Sequence, residues 1–582
     1  NGKMLVYNQP TYDVMMTVRE MGKFDTLDFC ETLNIDMATY YRLEADMKDK
    51  KKNRGYTSYT PQLFMSQLDV EAYGVLQEKL YKFPGIYIQS RTERQYNYPN
   101  MGLLLGYIAE VDQRKMDEDP YYKRGDYVGK SGIELSHEKD LRGEKGVEVL
   151  LRDARGRIQG KYQNGEHDRS AVSGKDLKLG IDIDLQAYGE YLMQNKIGSI
   201  VMIEPKTGEI LCMVAAPSYD PAILTGKDFS TNYLQLVRNP YKPLINRAIA
   251  GNYPPGSTFK PSQGLVFLQE GIIKEDTRFS CYHGYPPLGG RPACHGHASP
   301  LSLQYALATS CNSFFSYGLN YMLNNRQKYS NTAEAFEVWK NYMVAMGFGY
   351  KLGVDLPSES RGFIPNSKFY TKVLGRQNWN AHNIISIAIG QGEVLTTPLQ
   401  IANFAALIAN RGYFYAPHVV QEIKGGQLDT IYTNRRESGI DRGYYELTVN
   451  GMADAVTSGT CRGTYLGPEL TVCGKTGTAE NPHGDDHSLF MGFAPKDDPQ
   501  VAIVVVVENG RFGATNAVPI GKLMFEKFFY GEVLPGDQYL EDMIANRVIL
   551  PNVYIKNSRP KPIIRKDSIS QNSDSTKVIA IN

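Results

Sequence analysis

The stretch Pro254-Pro255-Gly256-Ser257-Thr258-Phe259-Lys260 carries the reading of the fold. Two prolines and a glycine make a sharp entry to a regular element, and the apolar spacing from Phe259 to Glu270 predicts that the element is a helix. Residues i and i+3 share a helix face, so Lys260 Nζ is placed to reach Ser257 Oγ. A lysine desolvated beside other cations loses proton affinity and can act as base toward a serine hydroxyl. Ser257 also lies where helix N–H groups lack partners and point at a developing oxyanion.

One S-x-x-K carries little, since it recurs at Ser136–Lys139 and Ser558–Lys561. Two further motifs follow it in order: Ser310-Cys311-Asn312 and Lys475-Thr476-Gly477-Thr478. S-x-N recurs at Ser230–Asn232 and Ser570–Asn572, and K-T-G at Lys206 reads as a hairpin turn. Context separates the set from its copies. Ser257 opens a helix, Ser310 lies between helical runs at 302–309 and 313–323, and Lys475 ends a strand at 470–472 that two more strands follow.

Around these motifs the texture is α/β. Residues 198–215 read as a β-hairpin turning at Lys206-Thr207-Gly208, while 489–494 and 501–508 (VAIVVVVE) read as strands. The last of these suits burial on both faces, and an amphipathic helix is predicted at 514–529. Residues 1 to about 175 are richer in Tyr, Lys, Arg and Glu, with a hydrophilic run at 46–60 that suits a solvated loop or helix face. The polar stretch 161–178 reads as a linker or domain boundary, and 556–582 as disordered polymer.

At 582 residues the chain holds several domain-sized units. Hydrophobic residues at 42% and charged ones at 22% exclude a disordered or collagenous protein. Lys+Arg at 64 against Asp+Glu at 63 leaves no basic field for nucleic acid. No apolar window reaches bilayer length. The chain opens at Asn1 without a leader pattern, so a membrane anchor is expected in a segment missing from this sequence.

With these motifs in place, the second part resembles the penicillin-binding transpeptidase domain, and the whole chain resembles the rod-elongation type of class B penicillin-binding proteins. Family-like stretches stand at 91–99 (RTERQYNYP), Gly106-Tyr107, 127–143, 181–186, 204–220, 389–400 (IGQGEVLTTPLQ) and 473–479 (CGKTGTA). The resemblance implies a multidomain α+β protein. Residues 1–175 are an elongated non-catalytic pedestal of dimerisation type, 176–540 an α/β transpeptidase domain with a central antiparallel sheet flanked by helices, and 541–582 a partly disordered extension.

The resemblance also assigns roles. Ser257 is the acylated nucleophile and Lys260 its base. Ser310 relays a proton to the leaving amine, Asn312 holds the substrate backbone, and Lys475 supplies positive charge. Thr476, Gly477 and Thr478 line the substrate strand, the two threonines binding the substrate carboxylate, and the N–H groups of Ser257 and Thr478 form the oxyanion hole. The implied reaction is D,D-transpeptidation of stem peptides ending in D-Ala-D-Ala onto an amine acceptor, with β-lactams acylating the same serine. The implied partners are a SEDS-family glycan polymerase and elongation-complex proteins, at the periplasmic face of the cytoplasmic membrane. Glu480 and Asn481 stand where many relatives carry Gln, and 485–487 is more acidic than the family pattern.

Two rival readings are a β-lactam sensor or scaffold without turnover, and a carboxypeptidase or β-lactamase. The intact motif residues weigh against a scaffold. No E-x-x-L-N water-activating segment lies between Asn312 and Lys475, which weighs against fast hydrolysis; Glu31-Thr32-Leu33-Asn34 is misspaced and precedes Ser257.

Catalysis by serine requires no cofactor. Between the first two motifs, however, Cys281, His283, Cys294, His295, His297 and Cys311 supply zinc-type ligands. Cys281, Cys294, His295, His297 and Cys311 are the candidate structural zinc ligands. A Cys281–Cys294 disulfide and unligated loop residues are the alternatives. Cys461 and Cys473 suit either a bridge or two buried thiols.

Overall fold

Strand Val6–Met16 (β1) lies between Gln62–Leu68 (β2) and Ile86–Tyr96 (β3) in an antiparallel sheet. Val14 and Met16 fall on one face of β1 and pack with Phe29, Phe64, Leu76 and Phe83 into a small core of their own. The computed structural model describes residues 2–551, except 51–52, 54–55, 69, 124, 154–157, 227 and 376–378. The expectations for 556–582, and for part of the hydrophilic run at 46–60, lie outside the described residues.

The stretch 161–178 is not a free linker. Val147 and Arg169 exchange backbone hydrogen bonds at 2.8 Å, as Glu144 and Val172 do at 2.8 and 2.9 Å, and Leu177–Leu179 pairs with Val420–Ile423. Its polarity reflects side chains facing water, whereas its order comes from backbone partners that composition does not reveal.

The second sheet holds Gly198–Ile203 (β4), Ile210–Ala216 (β5), Cys473–Ala479 (β6), His487–Ala494 (β7) and Val501–Val507 (β8). All pairs are antiparallel, in the order β5-β4-β8-β7-β6. The expected hairpin is β4–β5. The strand expected at Leu470–Val472 starts instead at Cys473 and runs through the KTGT motif, so Lys475 lies inside it. Two glycines in CGKTGTA depress strand propensity, but tertiary pairing with β7, Lys475 opposite Met491, overrides it.

Seven helices matter here: Ile183–Leu192 (α1), Lys260–Gln269 (α2), Leu303–Ala308 (α3), Asn312–Leu323 (α4), Pro398–Ala409 (α5), Arg442–Thr457 (α6) and Ala517–Tyr530 (α7). Ala502, Val504 and Val506 of β8 share a core with α2 and α5, while Ile503, Val505 and Val507 share another with α1 and α7. An antiparallel sheet often leaves one face wet; helices cover both faces here, and all seven residues of β8 are buried. Each buried valine contributes about 1.5–3 kcal/mol by transfer, before its entropy cost.

Candidate active site

Gly256–Phe259 forms a 3-10 turn that runs directly into α2. Gly256 has φ +54°, and a Cβ there would fall 2.4 Å from Thr478 O, so the turn lies against β6 with nothing between. Ser257 is half-buried at the mouth of the site, whereas every residue from Thr258 to Leu268 is buried. A helix buried on all faces belongs to the core, which holds its first turn rigidly.

Lys260 is fully buried. Its Nζ donates to Ser310 O and to Asn312 Oδ1, both at 2.6 Å, and lies 3.1 Å from Ser310 Oγ. The approach to Ser257 is not among its hydrogen bonds in the described residues. Burial, with Lys475 nearby, pushes its pKa well below the ordinary 10.5. A neutral amine has two N–H bonds, which the two carbonyl oxygens satisfy, and its lone pair stays available to a hydroxyl proton.

Ser310 sits between α3 and α4 with φ +59°, a left-handed conformation rare outside glycine. Cys311 N reaches back to Ala306 O at 3.0 Å, which closes the end of α3. The constraint aims Ser310 Oγ between both lysines. Lys475 Nζ donates to it at 2.9 Å and to Thr476 O at 3.2 Å. Lys475 is also fully buried, and burial lowers its pKa to about 8. Asn312 opens α4, and its Nδ2 donates to Ala293 O at 2.6 Å.

On β6, Thr478 is half-buried and the other six residues are buried. Gly477 packs closely: a Cβ there would meet Thr258 Cγ2 at 2.9 Å. The Thr476 hydroxyl donates to Thr460 Oγ1 at 2.8 Å. Thr460 is thus a neighbour that motif reading missed, and no spacing in the sequence signalled it. Gln391 was missed too, although it lies inside the family-like stretch 389–400; its Nε2 donates to Thr478 O at 2.9 Å. Asn481 closes the turn after β6 through Asn509 Oδ1 and Asp485 O, and Asp485 pairs with Arg511. The copies at Ser136 and Lys206 are structural. Ser136 Oγ donates to Asp355 O, and Lys206 pairs with Asp498.

Cys281, Cys294, His297 and Cys311 bring their ligand atoms within 4.8 Å of one another. His295 stays outside that group, its ring edge-on to Phe512 at 6.5 Å. His283 contributes only its carbonyl, which accepts from Cys294 N. All seven cysteines are free thiols, so neither the Cys281–Cys294 nor the Cys461–Cys473 bridge is present.

The donor set fits zinc. His297 Nδ1–H donates to Ala298 O at 3.0 Å, and its buried Nε2 has no partner among the described residues. Cys294 Sγ accepts from Asn312 N and Ser313 N at 3.2 and 3.3 Å, and Cys311 Sγ from Phe314 N at 3.4 Å. Hydrogen bonding from Cys311, with help from Ser313 N, holds the Cys294 thiol well below its ordinary range, and the same contact pushes Cys311 up.

Residues 198–526 match the penicillin binding protein transpeptidase domain, and residues 1–179 the penicillin-binding protein dimerisation domain. The peptidoglycan D,D-transpeptidase MrdA of Acinetobacter baumannii is 31% identical over 559 residues, which cover 90% of this chain and 79% of that protein. MrdA of Escherichia coli is 28% identical, covering 90% and 84%. Penicillin-binding protein PBP2 of Helicobacter pylori, solved with MreC, shares the fold with a TM-score of 0.74 at 23% identity, over 91% of this chain and 96% of that one. PBP2 of Pseudomonas aeruginosa in complex with WCK 5153 gives 0.63 at 28% identity, over 77% and 93%. With both domains matched and relatives aligned over most of their length, the chain belongs to the class B penicillin-binding proteins of the PBP2 (MrdA) type, peptidoglycan D,D-transpeptidases that cross-link the wall during elongation.

Proposed function

We propose that Ser257 is the nucleophile of this transpeptidase and that Lys260, Ser310, Asn312 and Lys475 serve it. The convergence of both buried lysines on Ser310 Oγ, at 3.1 and 2.9 Å, carries the reading. Ser257 Oγ attacks the carbonyl carbon of the penultimate D-alanine, and its proton passes to neutral Lys260. The N–H groups of Ser257 and Thr478 hold the oxyanion. The C–N bond then breaks, Ser310 passes a proton to the departing D-alanine amine, and an ester remains on Ser257. An acceptor amine attacks that ester, gives its proton back through the same groups, and frees the serine. Lys475 supplies the positive charge beside Ser310, and Thr476, Gly477 and Thr478 form the substrate's strand partner, with both hydroxyls at its carboxylate.

Cys281, Cys294, His297 and Cys311 are proposed to hold a structural zinc that fixes the loop before Ser310; serine acyl transfer needs no Lewis acid from it. The division at 1–175, 176–540 and 541–582 is proposed; the core around β1–β3 supports a distinct first region, whereas Ile544, on helix Gln538–Asn546, packs in the core that holds α7 and speaks against a boundary at 540. No described helix is long and apolar enough to cross a membrane. The site is proposed to work at the periplasmic face of the cytoplasmic membrane, where stem peptides and β-lactams reach it. MreC stands with PBP2 in the H. pylori complex, and a related chain (TM-score 0.70, 25% identity) lies in a peptidoglycan synthase complex that coordinates polymerization and crosslinking. By likeness, this chain works with a SEDS-family polymerase and other elongation proteins.

Intact mass after incubation with benzylpenicillin, beside Ser257→Ala, tests the nucleophile: an adduct on the parent and none on the variant is expected. With a stem-peptide donor and an amine acceptor, cross-linked dimer is expected. Free acid alone would move the protein to the hydrolases, and an adduct without product to the sensors.

A further inference from the structure

Strand β6 is an edge of its sheet, so β7 claims only one side of its backbone. In an antiparallel strand, the N–H and C=O of a residue point to the same side. The Thr478 carbonyl accepts from Gln391 Nε2 at 2.9 Å, so the Thr478 N–H also faces away from β7. The Ser257 turn stands on that side: a Cβ at Gly256 would lie 2.4 Å from Thr478 O and 3.2 Å from Thr478 N. The Thr478 N–H and the Ser257 turn therefore face one space.

One dipeptide ties those elements together. Gly390 O accepts from Gly256 N at 2.9 Å, and the next residue, Gln391, holds Thr478 O. Gly390 has φ +71°, and a Cβ there would sit 2.2 Å from Gly256 O, so the two turns meet backbone to backbone. Gln391 is only 9% exposed, and its own N–H is fixed on Ser386 O at 3.1 Å. The acceptor it faces is a carbonyl, so its amide nitrogen must be the atom turned toward Thr478.

We propose that Gln391 is a positioning residue for acyl transfer: its side-chain amide sets the Thr478 peptide so that the N–H groups of Thr478 and Ser257 converge on the oxyanion. The inference rests on the oxyanion reading given above. The requirement is for an uncharged donor of this reach. Asparagine is one methylene short, and an ionised glutamate would turn lone pairs toward another lone pair.

The test compares the parent with Gln391→Glu and Gln391→Ala, using saturation kinetics of a chromogenic β-lactam to separate pre-acylation affinity from the acylation step. Affinity for a boronic acid, whose tetrahedral adduct places an oxygen in the same hole, is measured alongside. The acylation constant should fall about 10–100-fold, with pre-acylation affinity changed by less than about twofold and boronate affinity falling in step. In Gln391→Glu, the acylation constant relative to the parent should recover as pH falls, because a protonated carboxyl can donate to Thr478 O. An acylation constant near the parent's in Gln391→Glu would overturn the proposal, and so would equal loss in both steps without recovery at low pH. Gln391→Glu keeps the size of the side chain, so it decides the matter if Gln391→Ala does not fold. A parent that forms no adduct on Ser257 would defeat the site reading itself, whereas a parent adduct with a normal Gln391→Glu defeats only the positioning role.

Discussion

Two lysines cut off from water cannot both carry charge about 3 Å from one serine oxygen. Lys260, pushed well below its ordinary value by burial and with two N–H bonds already satisfied by carbonyl oxygens, is the neutral one. Lys475, lowered to about 8, keeps its proton at neutral pH. Acylation by benzylpenicillin should therefore rise with pH as Lys260 deprotonates and fall again above about 8 as Lys475 does; a rate that keeps climbing past that point would remove Lys475 as the required cation. Stability has a separate sign. Between about 8 and 10.5 the unfolded chain binds a proton at this lysine that the folded chain has lost, so its contribution to stability rises with pH across that window. The motif spacing pointed to both lysines that meet Ser310. It did not disclose that Lys260 bonds to Ser310 and Asn312, because i,i+3 arithmetic knows only its own helix. Thr460 and Gln391 were invisible for the same reason: each meets its partner across the fold.

Elements bring these residues together through backbone approach. The Gly256 turn packs on Thr478 so closely that Gly256→Ala forces a Cβ to 2.4 Å from a carbonyl oxygen at positive φ. Strain of about 1–3 kcal/mol is expected in thermal unfolding, together with a loss of acylation far larger than a surface glycine such as Gly536 would show. A neutral Gly256→Ala would mean that the turn can shift without disturbing the site. Helix α4 is held differently. Its first N–H groups donate to Cys294 and Cys311, sulfurs of the proposed metal group. Metal analysis should give about one zinc per chain. Chelation or Cys294→Ser should lower the melting temperature and slow acylation through Ser310. Metal-free protein with the same melting temperature and acylation rate would leave the cluster as packed thiols. The sequence marked the ligand types but included His295, since composition cannot tell which of two near neighbours turns inward. Strand β8 was legible because VAIVVVV can be buried on both faces; β6 was misplaced because glycines required by the site hide its strand character.

At the scale of the whole molecule, β1–β3 have a core of their own, whereas Met101, Leu104, Leu105 and Ile133 of the first 175 residues join the core of the catalytic sheet, and side chains add to that connection. Glu190, on α1, is the hub. Its two oxygens accept from Met101 N at 2.8 Å, Asn100 Nδ2 at 3.0 Å, Gln186 Nε2 at 3.0 Å and Ser218 Oγ at 2.9 Å. Two of those donors lie before the 161–178 stretch and two after it. Met101 itself stands at φ +68°, a conformation with little intrinsic support, so its N–H bond to Glu190 helps hold the turn in place. Family-like stretches flank this hub on both sides, at 91–99 and 181–186, but no linear reading shows that they meet. Glu190→Ala leaves four donors without their acceptor, and should cost about 2–4 kcal/mol, given that hydrogen bonds to a charged group are worth about 1.5–3 kcal/mol each and are not additive. The loss falls on the connection at Met101 and leaves the β1–β3 core intact. Calorimetry should therefore show the transition of the first region separating to lower temperature, while β-lactam acylation persists at temperatures where that region has already unfolded. A single transition shifted as a whole would show instead that the two cores unfold as one cooperative unit, and that the pedestal's contacts stabilise the catalytic sheet directly.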